Sequence, residues 1–309
     1  MDTKVVSVNI SVEKGTIKKP VEFIKISDKG IIGDAHAGNW NRQISLLGME
    51  SIKKFSKDSG REFKPGEFAE NITTEGFTLY DARPLDRFVI GEVEMEVTQI
   101  GKSCHGDGCA IYREVGKCVM PKEGIFCRTT KKGMIRPGDI VKYYPRIMKV
   151  FILTISDRAY YGEYQDRSGP RAAALTEEYF KSQAYGCEIS REIIPDDEKQ
   201  LRHKLIECRD NDYDVVFTTG GTGIGFRDIT PEVTLSLLDK EIPGIMEHIR
   251  LKFGQVKPGA LLSRAVAGLM GKTLVFNMPG SVKAVDEYTD EIFKNLRHLI
   301  YMIHSLDIH

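Results

Sequence analysis

The sequence has little that would direct it to a membrane or a polyanion. It contains 44 Lys and Arg against 44 Asp and Glu, so its formal net charge at pH 7 is zero. A balanced chain gives no electrostatic reason to expect nucleic acid as a partner. It lacks an apolar run long enough to span a bilayer, and MDTKVVSVNISVEKG lacks the charged-then-apolar order of a secretion signal. We therefore expect a cytoplasmic protein that binds neither membrane nor nucleic acid.

Cysteine is also scarce, with 6 in 309 residues, and 4 of these fall between residues 104 and 127. In a reducing compartment such a cluster is not a disulfide framework, which leaves buried apolar side chains, a metal site or thiol chemistry. The Cys-x₄-Cys spacing, followed by two gaps of 8 residues, does not match the short knuckles typical of zinc sites. Cys127, in the strand-like segment GIFCRTT, is expected to be buried.

A chain of 309 residues exceeds the usual size of one domain, so two are expected. Residues 1–146 are predicted to be mostly β, because VVSVNIS and GEVEMEVTQI alternate apolar and polar side chains. Turn signals recur at DKG, KPGE, KKG and RPGD, and one helix is predicted over residues 48–58. Short strands joined by regular turns favour a barrel or a curled sheet.

Residues 147–309 show a different pattern. The continuous apolar run MKVFILTIS is typical of a strand buried on both faces, and SGPRAAALTEEYFKSQAYG predicts a helix capped by Ser168. Strand-like and helix-like segments then alternate to the last helix. This alternation predicts an α/β domain in which helices cover both faces of a parallel sheet.

A glycine-rich loop separates a predicted strand from a helix in VVFTTGGTGIGFRDITPEVT. It comprises Thr219, Gly220, Gly221, Thr222, Gly223 and Gly225. Glycine lets backbone N–H groups approach an anion, the threonines add hydroxyl donors, and the helix, predicted to be capped by Thr230, directs further unpaired N–H groups there. The spacing fits neither a P-loop nor a dinucleotide fingerprint. The loop predicts a phosphate or pyrophosphate site; the alternative is a turn that only closes the strand.

Acidic residues lie on loops expected at the same edge of the sheet. Asp228 follows the glycine loop, where a carboxylate beside phosphate requires a cation, and Mg²⁺ shared with phosphate oxygens meets this requirement. Asp157, Asp166, Asp196 and Asp197 lie on loops expected at the same edge, although a helix cap or a solvated loop position is the ordinary role of such acids and is favoured for Asp196 and Asp197 taken alone. Ser168, Arg158 and Arg227 are candidate phosphate donors, with a surface ion pair as the ordinary alternative for an arginine.

Six ordered segments resemble the MogA/MoaB family of molybdopterin-binding proteins: ILTISDRAYYGEYQDRSGP, EIIPDDE, TTGGTGIGFRDITPE, EIPGIMEHIR, LLSRAVAG and NMPGSVKAV. The resemblance covers about residues 148–305. It implies a Rossmann-like three-layer α/β fold, often trimeric, that binds molybdopterin. Catalytic members of the family transfer AMP from ATP to the terminal phosphate of the pterin with Mg²⁺ and release pyrophosphate.

The same resemblance assigns roles to individual residues. It implies that the glycine-rich loop and the NMPGS turn hold the pterin, and that Asp196 and Asp228 act in catalysis through metal and nucleotide. We rank Asp228, then Asp196, then Asp157 as catalytic residues, with Asp228 and Asp196 also holding the metal. The predicted ligand-binding residues are Ser156, Ser168, Thr219, Gly220, Gly221, Thr222, Gly223, Asp228, Thr230, Pro279, Gly280 and Ser281. Related proteins keep this pocket without efficient transfer, so a non-catalytic carrier of molybdopterin or the finished cofactor remains the alternative.

The first half resembles the MOSC domain family in GIIGDAHAGNWNRQISLL, GEFAENITTEGFTL and the segment from IGKSCHGDG to RPGDIV. The match spans about residues 5–142 and implies a β-barrel-like domain that binds the cofactor or carries sulfur on a cysteine. His36 and Arg42 are candidates to contact an anionic ligand there.

A sulfur-carrying cysteine needs neighbouring positive charge to lower the pKa of its thiol. Cys104 lies between Lys102 and His105, and Cys118 follows Lys117. We therefore expect Cys104 to be the sulfur carrier, with Cys118 next.

Both halves indicate the same cofactor. The leading hypothesis is a molybdopterin adenylyltransferase domain at residues 147–309, fused to a barrel-like MOSC domain at residues 1–146. It would use molybdopterin and ATP as substrates with Mg²⁺, form a homo-oligomer, and have other molybdenum-cofactor enzymes as further partners. The alternatives are the non-catalytic carrier and a sulfurtransferase role for the first domain.

Overall fold

The computed structural model describes residues 3–102 and 117–306. The chain divides between Arg146 and Ile147 into two compact units, the second of which ends at Ser305. Within the described residues, no helix combines the length and the apolar character that a membrane span requires.

The first unit consists mostly of strands, as predicted. They are β1 (Lys4–Ile10), β2 (Lys19–Val21), β3 (Ile24–Ser27), β4 (Gly30–Ile31), β5 (Ile44–Gly48), β6 (Ile72–Glu75), β7 (Arg87–Ile90), β8 (Val93–Ile100), β9 (Ile125–Lys131), β10 (Gly133–Ile135) and β11 (Val141–Tyr144). Within the described residues of this unit, α1 (Met49–Ser59), α2 (Met120–Glu123) and a 3₁₀ turn (Leu79–Asp81) accompany them. Helix α1 confirms the helix predicted over residues 48–58.

Eight of these strands form one sheet in the order β11-β7-β8-β9-β5-β6-β1-β2, and β10-β3-β4 form a second. Among the described residues the larger sheet is not a closed barrel, because β11 and β2 stand at opposite ends of the order. Strand β8 shows how the alternating sequence forms the sheet. Val93, Met95 and Val97 are fully buried on one face, whereas Glu94 and Glu96 alternate with them and are half-buried on the other face.

The second unit alternates strands and helices. Its strands are β12 (Ile147–Ile155), β13 (Gly186–Ile194), β14 (Val215–Thr219), β15 (Lys240–Glu241), β16 (Ala267–Met270) and β17 (Thr273–Met278). Its helices are α3 (Asp157–Tyr160), α4 (Ser168–Ser182), α5 (Glu198–Asp210), α6 (Thr230–Leu235), α7 (Pro243–Gly254) and α8 (Val282–Ile303), with a 3₁₀ turn at Pro258–Leu262.

The sheet of the second unit has the order β13-β12-β14-β17-β16-β15. The first four strands are parallel, which confirms the predicted parallel sheet, and β16 and β15 extend it in antiparallel fashion. Neither β15 nor β16 is predicted by the sequence pattern. In β14, Val216 packs in the core beneath α5 and α6, whereas the ring of Phe217 contacts Phe293 of α8. Helices therefore cover both faces, and the three-layer prediction is confirmed.

Candidate functional site

Three parallel strands of the second unit end side by side. Thr154 of β12 pairs with Thr219 of β14, which pairs with Met278 of β17. The loops after these strands carry Asp157, the glycine-rich loop and the NMPGS turn. Because carboxyl ends of neighbouring parallel strands meet at one edge, the fold gathers most of the predicted site residues there.

The glycine-rich loop (residues 220–225) needs its first two glycines for close backbone crossings. Gly220 and Gly221 have φ of +103° and +63°. A Cβ at Gly220 would collide with the carbonyl oxygen of Ile155, and a Cβ at Gly221 with the hydroxyl of Thr230. Gly280 lies against the same strand end, since a Cβ there would be 3.4 Å from the Gly220 Cα. Side chains at Gly220 and Gly221 would force the loops apart.

The amides of this loop divide into two groups. The N–H of Gly220 donates to the Met278 carbonyl at 2.9 Å, and that of Gly225 donates to the Asp228 carboxylate at 2.8 Å. Among the described residues, the N–H groups of residues 221–224 have no acceptor. Four successive amides are therefore available to an anion.

Two predicted helix caps are wrong. Ser168 is the first residue of α4, and Asp166 accepts hydrogen bonds from the N–H groups of Ser168 at 2.9 Å and Gly169 at 3.1 Å. Thr230 is the first residue of α6, and its hydroxyl donates to the Gly220 carbonyl at 3.0 Å. Asp166 reaches two amides at once, so it replaces the serine as the cap.

A buried chain of hydroxyls supports the loop from beneath. The Ser168 and Thr219 hydroxyl oxygens are 3.0 Å apart, and Thr219 donates to Thr154 at 3.3 Å. Thr154 in turn donates to Asp166 at 2.8 Å. Because these hydroxyls are already paired within the chain, Ser168 and Thr219 fix the end of β14 against α4.

Two carboxylates predicted to be catalytic hold each other in place. Asp157 accepts a hydrogen bond from the N–H of Asp196 at 3.0 Å, and Asp196 accepts one from the N–H of Asp157 at 3.0 Å. Arg227 pairs with the other oxygen of Asp157. Burial raises the pKa of the Asp196 carboxyl, and the charges of Asp157 and Asp228 raise it further, against the hydrogen bond from the Asp157 amide. The three acids therefore share one electrostatic environment.

Asp228 lines a cavity of about 540 Å³ at this edge. Its Oδ2 accepts the Gly225 amide at 2.8 Å, whereas its Oδ1 and the Oδ1 of Asp196 have no partner among the described residues. No group of three or more His, Cys, Asp or Glu in the described part of the chain is arranged to hold a metal ion by itself. Mg²⁺ fits nonetheless, because it is commonly bound by one or two carboxylates together with phosphate oxygens.

Arg264 binds the carbonyl oxygens of the loop, a role that the sequence pattern did not predict. Its Nε donates to the Gly223 carbonyl at 2.6 Å, its Nη2 to the Asp228 carbonyl at 2.6 Å, and its backbone N–H to the Thr222 carbonyl at 2.9 Å. Its Nη1 also pairs with Glu232. The segment LLSRAVAG could have indicated this role, because Arg264 is the one charged residue among small and apolar ones. Arg264 fixes the carbonyl side of the loop.

The remaining predicted ligand-binding residues lie at helix starts on the same edge. Ser156 caps α3 by accepting the Ala159 amide at 3.3 Å, and Ser281 caps α8 by accepting the Ala284 amide at 3.2 Å. Pro279 and Gly280 form the turn between β17 and α8. A second cavity, of about 380 Å³, is lined by Tyr164, Gln165, Arg167, Ser168, Gly280 and Val282. These positions are placed to contact a ligand, and their ligand role stays a prediction.

The predicted cysteine site of the first unit is only partly covered. Cys104 lies outside the described residues. Cys118 is half-buried, and Cys127 is fully buried within β9, as expected. Burial raises the pKa of the Cys127 thiol far above its usual range, which excludes it as the sulfur carrier.

A buried polar network beside His36 is the main feature of the first unit that the sequence analysis missed. The side chains of Lys18 and Asp34 form an ion pair with no exposed surface, and Asn71 donates to Asp34 at 3.1 Å. The Nδ1 of His36 lies 3.4 Å from both Lys18 Nζ and Asp34 Oδ1. Burial alone would raise the pKa of Asp34, but hydrogen bonds from His36 and Lys18 hold it well below its usual range.

Arg42 and His36, predicted to contact an anionic ligand, meet at the single tryptophan. The Arg42 guanidinium lies 5.1 Å from the centre of the Trp40 ring, and the His36 ring stacks on Trp40 at 6.2 Å. The Trp40 Nε1–H donates to the His36 carbonyl at 2.8 Å. The structure thus brings both residues together, and a ligand for them stays a prediction.

Comparison with known proteins gives a match for each half. The MOSC domain model matches residues 33–142, and the model described as a probable molybdopterin binding domain matches residues 151–298. Molybdopterin adenylyltransferase of Helicobacter pylori is 36% identical over 153 residues, which are 49% of this chain and 85% of that protein. The Drosophila melanogaster molybdenum cofactor synthesis protein cinnamon is 37% identical over 153 residues, 25% of its length. A solved molybdopterin biosynthesis enzyme MoaB of Thermus thermophilus is 35% identical, covering 51% of this chain and 97% of that one with a TM-score of 0.46.

Proposed function

The chain belongs, through its second unit, to the molybdopterin-binding domain family that includes the molybdopterin adenylyltransferase of Helicobacter pylori, and we propose that it transfers AMP from ATP to molybdopterin. One observation carries this proposal. The unpaired amides of residues 221–224 lie on the same loop edge as Asp196 and Asp228, whose carboxylates each keep one oxygen without a partner in the described chain. Amides suit phosphate oxygens, and free carboxylate oxygens suit a cation bound to them.

In the proposed reaction, a terminal phosphate oxygen of molybdopterin attacks the α-phosphorus of ATP. The bond from that phosphorus to the bridging oxygen of the β-phosphate breaks, and pyrophosphate leaves. The main obstacle is the mutual repulsion of two polyanions, so positioning and charge neutralisation carry the catalysis. The chain positions the phosphates through the amides of residues 221–224, which Arg264 holds in place by binding the loop carbonyls.

Asp196 and Asp228 would hold Mg²⁺, which when bound neutralises part of the triphosphate charge. Asp157 acts on Asp196 rather than on the substrate, because its carboxylate binds the Asp196 amide and the Arg227 guanidinium. We therefore assign the direct roles to Asp228 and Asp196 and a positioning role to Asp157.

We propose that the first unit is a MOSC domain that binds the cofactor or carries sulfur for it. Its match to the MOSC family supports this role, with Cys104 as the proposed sulfur carrier. An isolated antiparallel bridge between Lys4 and Ile140 connects β1 with the segment before β11, which supports a barrel-like arrangement. Exposed apolar side chains at Leu251 and Val256 support a homo-oligomer, which we place in the cytoplasm.

The experiment that tests the proposal is incubation of the full chain with molybdopterin, ATP and Mg²⁺. The expected result is the joint appearance of adenylylated pterin and pyrophosphate. An ATP analogue with a methylene group between the α- and β-phosphorus is the control, because its bridging bond cannot be displaced. Binding of the pterin without any pyrophosphate would instead identify a non-catalytic carrier.

A further inference from the structure

Two large apolar side chains stand exposed beside the carboxylates of the site. Ile224 is 75% exposed and Phe226 is 94% exposed, and they flank Gly225 at the tip of the glycine-rich loop. Both line the cavity of about 540 Å³ to which Asp228 also contributes. Cavities of this size accommodate small-molecule ligands, and open apolar surface beside polar groups is typical of binding sites.

The same cavity offers further apolar surface and one acceptor. Ile229 and Val233 also line it, and the carboxylate of Glu232 lies on its edge, paired through one oxygen with Arg264. The other Glu232 oxygen has no partner among the described residues. A purine base has the complementary chemistry, since its faces are apolar and its edge carries hydrogen-bonding groups. At the 6-position adenine presents an amino donor where guanine presents a carbonyl oxygen, so a carboxylate placed at that position accepts from adenine and repels guanine.

We propose that Ile224 and Phe226 form the nucleobase subsite, with the purine stacked on Phe226 and its amino group directed to Glu232. This assignment rests on the proposed function, in which ATP is a substrate, and it explains how the loop recognises the nucleoside as well as the phosphates. Asp228 lines the same cavity, which places base and phosphates on one continuous surface. Stacking of a base on an aromatic side chain strengthens binding by about tenfold or more.

The test compares binding of ATP and of tripolyphosphate, which lacks a base, by calorimetry in Mg²⁺ and without pterin. Phe226→Ala should weaken ATP binding about tenfold and leave tripolyphosphate binding unchanged, whereas Phe226→Tyr should retain ATP affinity. Met302→Ala, a change at a 59% exposed apolar side chain on α8, is the matched control and should alter neither. Glu232→Gln should reduce the preference for ATP over GTP.

Three results would overturn the subsite. Equal weakening of ATP and tripolyphosphate by Phe226→Ala would mean that the side chain only supports the loop. Unchanged ATP affinity together with an altered oligomeric state would place Phe226 in a subunit contact, and unchanged affinity alone would leave the base elsewhere. The proposed function is tested separately, by pyrophosphate release from the unmodified chain in the presence of molybdopterin. If that chain binds ATP through Phe226 but releases no pyrophosphate, the proposed function is wrong and the nucleobase subsite still stands.

Discussion

The two units place their charged groups in opposite ways. In the second unit, Asp196 and Asp228 lie on loops after parallel strands, and each keeps one carboxylate oxygen without a partner among the described residues. In the first unit, Lys18 and Asp34 are fully buried, and Asp34 binds Lys18, Asn71 and backbone amides. Carboxylates with unused acceptor capacity at a loop edge are suited to a ligand, whereas a fully paired buried ion is part of the fold. Both units contain buried or half-buried aspartates, so the residue type alone does not distinguish them. The unused acceptor capacity of the carboxylates identifies the candidate site, and its absence at Asp34 identifies a structural network.

The largest effect that follows from this comparison is on stability in the first unit. Lys18→Met leaves the Asp34 carboxylate buried without its cation, so it should lower the free energy of unfolding by about 3–5 kcal/mol. Trp40 is the only tryptophan, so its fluorescence during urea unfolding reports on this unit. Lys53→Met removes a cation from an exposed pair with Glu75 and serves as the control, with no measurable change expected. Equal unfolding midpoints for the two variants would show that the buried pair has no structural role.

A second effect concerns pH. Glu70 is fully buried, its Oε1 accepts from the Gly66 amide and the Thr73 hydroxyl, and its Oε2 has no partner among the described residues. Burial raises its pKa from 4.5 to about 7. Between these values the folded chain keeps a proton that the unfolded chain has lost, so stability falls as pH rises through this window.

Glu70→Gln cannot lose that proton, so the variant should not show this fall. Relative to the parent, it should gain on the order of 3 kcal/mol in unfolding free energy between pH 4.5 and pH 8. Urea unfolding at a series of pH values measures the difference. Parallel pH profiles for the two proteins would mean that Glu70 is already ionised in the folded state.

A smaller effect should appear when the support of the glycine-rich loop is removed. Arg264→Ala deletes two side-chain hydrogen bonds to loop carbonyls, and we expect the KM for ATP to rise about tenfold through misplaced amides. Arg264→Lys should recover part of the loss because one donor remains in reach. Arg171→Ala breaks an exposed pair with Asp286 and is the control that should keep parent kinetics. Parent kinetics for Arg264→Ala as well would remove the positioning role.

How far the sequence predicts each unit follows from the same comparison. The glycine-rich loop and Asp228 are close in sequence, and the parallel strands that precede the site loops end at one edge, so a local motif predicted the arrangement. The caps of α4 and α6 were predicted wrongly. Asp166 accepts the first amides of α4 in place of Ser168, and the Thr230 hydroxyl donates to the Gly220 carbonyl instead of accepting an amide of α6.

The network of the first unit gives no such local signal. Lys18, Asp34 and Asn71 are separated by 16 and 37 residues, and their meeting depends on how distant segments pack. A lysine in a turn-rich segment is usually solvated, so nothing in the residues themselves indicates its burial. The short strands β15 and β16 were missed for a related reason: a two-residue and a four-residue strand, formed by pairing with β17 and each other, carry too little periodicity to detect.

The central claim is that Asp228 acts on the nucleotide and not on the shape of the loop. Asp228→Asn preserves a side-chain oxygen for the Gly225 amide, so the loop should keep its geometry while the charge is lost. Pyrophosphate release from ATP in the presence of molybdopterin and Mg²⁺ is the most direct measurement. The account predicts a loss of about a hundredfold or more with molybdopterin affinity unchanged; release at the parent rate would contradict it.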